Sequence, residues 1–180
     1  MAEVSQPTAS VDPRPQVTLL VPVHRGRESF VCDLLRSIGT ARPSRWAPSE
    51  VVLCTRDLPD LLASVKIALP SLSMPCRLAF SPDAPTLARL RNDGLRAVQT
   101  PWVLGADSDI LFPEDYFTRL ESGIDGGSQM ADAYQMRFVA APGASRFARY
   151  EAALDQMVLA RYIREEGVFD HWVLFNIPPD

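Results

Sequence analysis

Lysine is almost missing from this sequence: Lys66 is the only one in 180 residues. The nine glycines never form G-x-G-x-x-G or the lysine-bearing phosphate loop, and no serine sits in G-x-S-x-G. Dinucleotide oxidoreductases, P-loop NTPases and α/β-hydrolases therefore all lose ground. There are two histidines, His24 and His171, and they are not at metal-pair spacing. A lone histidine at a strand end is ordinarily a hydrogen-bonded residue, although His24 falls at an edge where ligands bind. Cys32, Cys54 and Cys76 are odd in number, far apart and each in or beside an apolar segment. They read as buried thiols of a reducing compartment rather than disulfides or zinc ligands. No apolar run approaches the ~20 residues of a membrane span, and no basic stretch followed by an apolar one opens the chain. The expected location is the cytoplasm, either free or peripheral at the inner membrane face. A formal charge of −4 gives no reason to expect nucleic-acid binding, so an anionic ligand must be held locally.

What is present is an ordinary globular composition, 47% hydrophobic and 22% charged, in a chain long enough to bury ~70% of its unfolded surface. Residues 1 to 15 are rich in Pro, Ser and Ala without hydrophobic period and read as a leader. From Val17 the pattern alternates. VTLLVPV (17 to 23) and EVVLC (50 to 54) are continuous apolar runs suited to strands buried on both faces, CRLAF (76 to 80) is a weaker third, and WVLGA (102 to 106) a fourth. Between them lie three helical stripes. Phe30, Val31, Leu34, Leu35 and Ile38 form the first; Leu58, Leu61, Leu62, Val65 and Leu69 form the second, which Pro70 ends; Leu87, Leu90, Leu95 and Val98, capped by Thr86, form the third. Pro113, with Glu114 and Asp115 in a first turn, predicts a fourth helix to about Leu120. Four strand–helix alternations argue for an α/β architecture with a mostly parallel sheet. Past the glycine-rich 123 to 129, a segment at 133 to 141, a short helix near 145 to 153 and MVLARYI (157 to 163) are expected against the sheet edge, partly antiparallel.

In such sheets ligands bind beyond the carboxyl ends of the strands, where Asp107-Ser108-Asp109 follows the fourth. In extended backbone residues two apart point the same way, so both carboxylates face one site and Ser108 the other. Adjacent carboxylates repel, and a cation is their natural partner. Oxygen-only ligands favour Mg²⁺ or Mn²⁺. Leu111 at a ligand position, and no glycine at the turn, exclude an EF-hand. Taken alone, D-x-D is equally a polar turn, since chance supplies about one such triplet in a chain with this much Asp.

Several segments together resemble the family 2 glycosyltransferases of GT-A fold: VTLLVPVHR before a helix, EVVLC before a polar turn, then LARLRNDGLRAVQTPWVLGADSD and FPEDYFTRL. The likeness spans Val17 to Leu120, and the pairing of R-N-x-G with D-x-D is its most specific part. It implies a Rossmann-like three-layer α/β/α sandwich: one domain over 16 to 180, with a nucleotide-binding half to about 122 and an acceptor half from 123. Pro22, Val23 and His24 would line the base, with Thr55 and Asp57 beside it; Arg91 and Asn92 would flank the nucleotide; Asp107 would face the ribose with Ser108 adjacent; and Asp109, with Asp107, would hold Mn²⁺ or Mg²⁺. Arg25 stands where the family has Asn, and Thr55-Arg56-Asp57 where many relatives have an acidic pair.

GVFD (167 to 170) looks like the acceptor-half segment that an acidic pair usually follows. Here the chain reaches Asp180, which becomes the candidate general base in a domain expected to lack its C-terminal portion. The implied activity is metal-dependent, inverting transfer of a sugar from a nucleotide-diphosphate sugar, a UDP-sugar first, to a saccharide or other hydroxyl acceptor. The alternatives are a non-catalytic nucleotide-sugar binding module of the same fold and a nucleotidyltransferase.

Overall fold

The computed structural model describes residues 15–24, 26–68, 70, 72–126, 133–135 and 173–176. Ten elements follow in order: β1 (Val17–Val23), α1 (Glu28–Thr40), β2 (Glu50–Thr55), α2 (Leu58–Ala68), β3 (Cys76–Phe80), α3 (Leu87–Leu95), β4 (Trp102–Gly105), α4 (Tyr116–Asp125), β5 (Ala133–Gln135) and β6 (Val173–Asn176). The strands form one sheet ordered β3-β2-β1-β4-β6-β5. The four expected strands are all present and mutually parallel, while β6 runs antiparallel to both β4 and β5.

Every residue of β1 is buried, as a central parallel strand requires. Its alternate side chains serve two cores. Val17, Leu19, Val21 and Val23 join Val51, Leu53, Trp102 and Leu104 under α1, α2 and α4. Leu20 joins Val52, Cys54 and Val103 under α3. The crossing from β3 back to β4 reverses the direction in which strands are added, so a right-handed connection must place α3 on the opposite face. Among the described residues the sandwich therefore has α1, α2 and α4 on one side and α3 on the other.

Gly94 sets how closely α3 approaches. A Cβ there would fall deep inside the van der Waals shell of Cys54 Sγ and 2.8 Å from Leu20 Cδ1.

Four local expectations need correction. Phe30 lies off the buried stripe of α1 and is exposed; Val31, Cys32, Leu34, Leu35 and Ile38 are the buried set. α3 ends at Leu95, with Ala97 and Val98 in following turns. α4 starts at Tyr116 rather than Pro113 and runs to Asp125. Residues 112–114 are claimed by other partners: the Phe112 N–H donates to Ser37 Oγ at 3.0 Å, and the Glu114 carbonyl accepts from the Arg42 N–H at 2.7 Å. Phe112, Tyr116 and Phe117 then close into an aromatic cluster, with Phe112 4.8 Å from Tyr116 and 5.4 Å from Phe117 between ring centroids. β4 likewise stops one residue early, at Gly105.

β6 was not expected from the sequence. The leader through residue 14, residues 136–141, the helix near 145–153, MVLARYI, GVFD, His171 and Asp180 lie outside the described residues. Among the described residues no helix is long and apolar enough to cross a membrane.

Cys32 and Cys54 are buried and Cys76 is half-buried, so the reading of three buried thiols holds for two of them. Burial pushes the Cys54 thiol up to about 12, with the nearby Asp93 charge adding to it, and burial pushes Cys76 up to about 11. At neutral pH the thiolate fraction of either is below about 10⁻³. The native protein is therefore expected to react with Ellman's reagent far more slowly than free cysteine, and three thiols should titrate in denaturant. Rapid native labelling at Cys54 or Cys76 would show that the sheet opens there.

Candidate functional site

The sheet changes direction of growth between β1 and β4, and the crevice at the carboxyl ends of these strands is where open α/β sheets receive ligands. Two loops meet there. The first leaves β1 at the exposed His24, whose carbonyl accepts a hydrogen bond from the Arg27 N–H at 3.0 Å. Gly26 occupies the third place of that turn with φ +79° and donates its N–H to Glu28 Oε1 at 2.9 Å. Glycine accepts a positive φ at this place without strain. The second loop leaves β4 through the buried Ala106, whose N–H reaches the Leu20 carbonyl at 3.1 Å.

Asp107 and Asp109 do not sit on extended backbone. The chain turns at once, and the Ile110 N–H donates to the Asp107 carbonyl at 3.3 Å. Ser108 is buried within this turn, so the strand alternation expected over 107–109 does not apply. The two carboxylates take different partners. Asp107 Oδ1 accepts from Arg91 Nη2 at 3.0 Å, which joins the R-N-x-G helix to the D-x-D loop. Asp109 Oδ2 lies 3.8 Å from Arg27 Nη1, and these side chains are 48% and 51% exposed. The Arg27 guanidinium also lies over the Phe30 ring, 5.2 Å from its centroid.

The other expected residues are spread along the same edge. Pro22 and Val23 are buried in β1. Thr55 is buried at the end of β2, its Oγ1 accepting from the Asp57 N–H at 3.1 Å, and Asp57 is half-exposed. Asn92 is exposed on α3, one residue beyond the Arg91 that reaches Asp107. Asp93, beside it, accepts from Ser81 Oγ at the end of β3 and pairs with Arg89 and Arg96. The Ser81 hydrogen bond, with those two charges, holds its carboxyl below the usual range in spite of burial. Thr86 caps α3 as expected, accepting from the Arg89 N–H at 3.1 Å.

Sequence reasoning did not name Arg27 as a site residue. The signal that marks it is its place four residues beyond the end of β1, at the edge of the sheet where ligands bind.

Among the described residues no three His, Cys, Asp or Glu side chains converge on a point. The donor set nevertheless suits Mg²⁺ or Mn²⁺ in their usual substrate-assisted mode, in which one or two carboxylates hold the ion and phosphates and water complete its shell. Asp109 is open to solvent at the crevice, and Asp107 keeps one oxygen outside its bond to Arg91.

A sheet ordered β3-β2-β1-β4 with an antiparallel extension and helices on both faces has the architecture of the GT-A fold. The chain is similar to Staphylococcus aureus TarS, a glycosyltransferase, over 72% of its own length at a TM-score of 0.57 and 18% identity. TarS complexes with UDP and with UDP-GlcNAc match at TM-scores of 0.54 and 0.55 and 19% identity. The chain spans 37% of the length of the TarS 1-349 structure. No protein-family model matches the chain, and no curated protein matches it in sequence.

Proposed function

We propose that this chain binds a nucleotide-diphosphate sugar, a UDP-sugar first, and transfers the sugar to an acceptor hydroxyl with inversion. The observation that carries the reading is the pair of carboxylates, Asp107 tied to Arg91 and Asp109 open, at the switch point of a GT-A fold. The UDP and UDP-GlcNAc complexes of TarS, a protein of the same fold, support the donor class.

In this reading Arg91 fixes the rotamer of Asp107, so that its free oxygen faces the ribose without a further loss of side-chain entropy on binding. His24, Thr55 and Asp57 border the base, Asn92 flanks the nucleotide, and the buried Ser108 holds the turn that aims Asp107 and Asp109. Asp109, with Asp107, would hold Mn²⁺ or Mg²⁺, which supplies neutralisation of the charge that builds on the departing diphosphate. A carboxylate from the acceptor half takes the hydroxyl proton, and Asp180 is the candidate. The one-domain division, with a donor half to about 122 and an acceptor half beyond, belongs to the same proposal.

The test is isothermal titration of UDP and a panel of nucleotide sugars with and without Mn²⁺, on the parent and on Asp109→Ala. The substitution should weaken UDP binding in Mn²⁺ at least tenfold, ~1.4 kcal/mol, and change it little in metal-free buffer. Equal affinities for two folded proteins would remove the metal role. Tight binding with no transfer to any saccharide acceptor would mark a nucleotide-sugar binding module instead.

A further inference from the structure

Arg27 is placed with more care than an exposed cation needs. The Gly26 turn fixes its main chain, and the exposed ring of Phe30 supports its guanidinium from below at 5.2 Å. From that seat Arg27 Nη1 lies 3.8 Å from Asp109 Oδ2 at the switch-point crevice. The separation is long for a hydrogen bond but close enough for charge to hold it. With both side chains about half exposed, such a pair is weak and exchanges easily.

The two arginines of the crevice therefore differ in kind. Arg91 makes a 3.0 Å hydrogen bond with a half-buried partner, whereas Arg27 shares Asp109 loosely while its ring contact holds it near the same spot.

We propose, resting on the donor-binding reading above, that Arg27 is a diphosphate-binding residue that occupies Asp109 when the crevice is empty. Arg27 and the incoming divalent cation then exchange at that carboxylate. With a divalent cation at Asp109, the Arg27 guanidinium, still seated on Phe30, would leave that carboxylate and turn its fork to the phosphate oxygens of the nucleotide. A planar guanidinium matches phosphate geometry with two parallel hydrogen bonds. The exchange keeps Asp109 neutralised throughout and makes diphosphate and cation bind better together than either does alone.

Exchange requires opposite effects from one substitution. Arg27→Gln should tighten Mn²⁺ binding to the ligand-free protein by up to about fivefold, because a competitor of ordinary exposed ion-pair strength is gone. It should weaken UDP binding in saturating Mn²⁺ by about tenfold or more, because a charge-assisted hydrogen bond is lost. Arg27→Lys, with the charge but without the fork, should fall between parent and Arg27→Gln in the UDP arm. Free Mn²⁺ is read by electron paramagnetic resonance and UDP by calorimetry, so neither arm depends on turnover.

Both constants moving in the same direction, or UDP affinity unmoved by Arg27→Gln, would overturn the exchange. Asp109→Asn run alongside separates the two ideas. If it abolishes Mn²⁺ binding while Arg27→Gln moves neither constant, only the exchange is wrong. If it leaves Mn²⁺ affinity as in the parent, the metal reading itself fails.

Discussion

Gly94→Ala should lower the melting temperature by roughly 4–8 °C, the equivalent of about 2 kcal/mol for a chain of this size. Alanine favours a helix over glycine by about 1 kcal/mol, so on propensity alone the change would stabilise α3. Packing decides against it. The new methyl would collide with Cys54 Sγ and crowd Leu20 Cδ1, both in the buried layer between α3 and the sheet. Overpacking a core commonly costs 1–3 kcal/mol, and here a sheet residue on one side and a helix backbone on the other leave little room to relax.

Relief should come from one named atom. Cys54→Ala alone opens a small void and destabilises, but in the Gly94→Ala background it removes the collision and should restore most of the loss. The double-mutant cycle should therefore show a coupling of at least about 1 kcal/mol. Additive effects would mean that α3 moves away as a body rather than clashing locally. That displacement would be visible as weakened UDP binding, because Arg91 rides on the same helix.

The second large effect lies at the amino ends of the parallel strands, where Glu50 opens β2 and Arg77 is the second residue of β3. Arg77 donates to Glu50 through Nε at 3.0 Å and Nη2 at 2.9 Å, and Nη2 also reaches the Ala97 carbonyl at 2.9 Å. The Thr18 hydroxyl donates to Glu50 at 2.6 Å and lies 2.6 Å from the Thr100 hydroxyl. The Glu50 side chain is 15% exposed, so Arg77→Met would strand a largely buried carboxylate. An expected cost of ~2 kcal/mol at pH 7 follows from leaving a charged acceptor short of its donors.

The cost should depend on pH. Burial opposes ionisation of Glu50, but the hydrogen bonds from Arg77 and Thr18 and the Arg77 charge outweigh it, holding the carboxyl below its usual 4.5. A folded value below the unfolded one means that this stabilisation is fully present above about pH 5 and is lost as pH falls through the folded value. Parent and Arg77→Met should therefore differ most at neutral pH, with the gap narrowing as pH falls below the usual carboxylate range. Urea melts at pH 7 and 3.5 check it; a gap that stays constant would assign the effect to lost packing of the arginine stem.

The parts of this molecule that were readable in the sequence share a physical cause. Strands buried on both faces cannot hide among polar residues, so 17 to 23, 50 to 54 and 102 to 105 stand out as apolar runs. Thr86 announced its helix because an N-cap needs a short side-chain acceptor. Arg91 and Asp107 were nameable from strings, and their 3.0 Å contact draws those strings into one place.

What escaped depended on contacts between distant segments. Phe30 counted as core by spacing, yet it lies beneath Arg27. Pro113-Glu114-Asp115 looked like a first turn, but Ser37 and Arg42 had already claimed the backbone around it. β6 is four residues long, too short for any period to show, and it exists as a strand through its register with β4 and β5.

That strand's position also constrains the order of assembly. A ribosome delivers β1 to β4 with their crossover helices well before residue 173 appears, and this parallel unit can collapse while its chain is still growing. During that interval β4 has a bare flank of unpaired amides and carbonyls, the kind of template on which neighbouring nascent chains associate. β5 emerges earlier than β6 but joins the sheet through it, so it must wait for a strand made some forty residues later. Pairing β6 with β4, across about seventy residues of sequence, is the non-local contact that covers this flank.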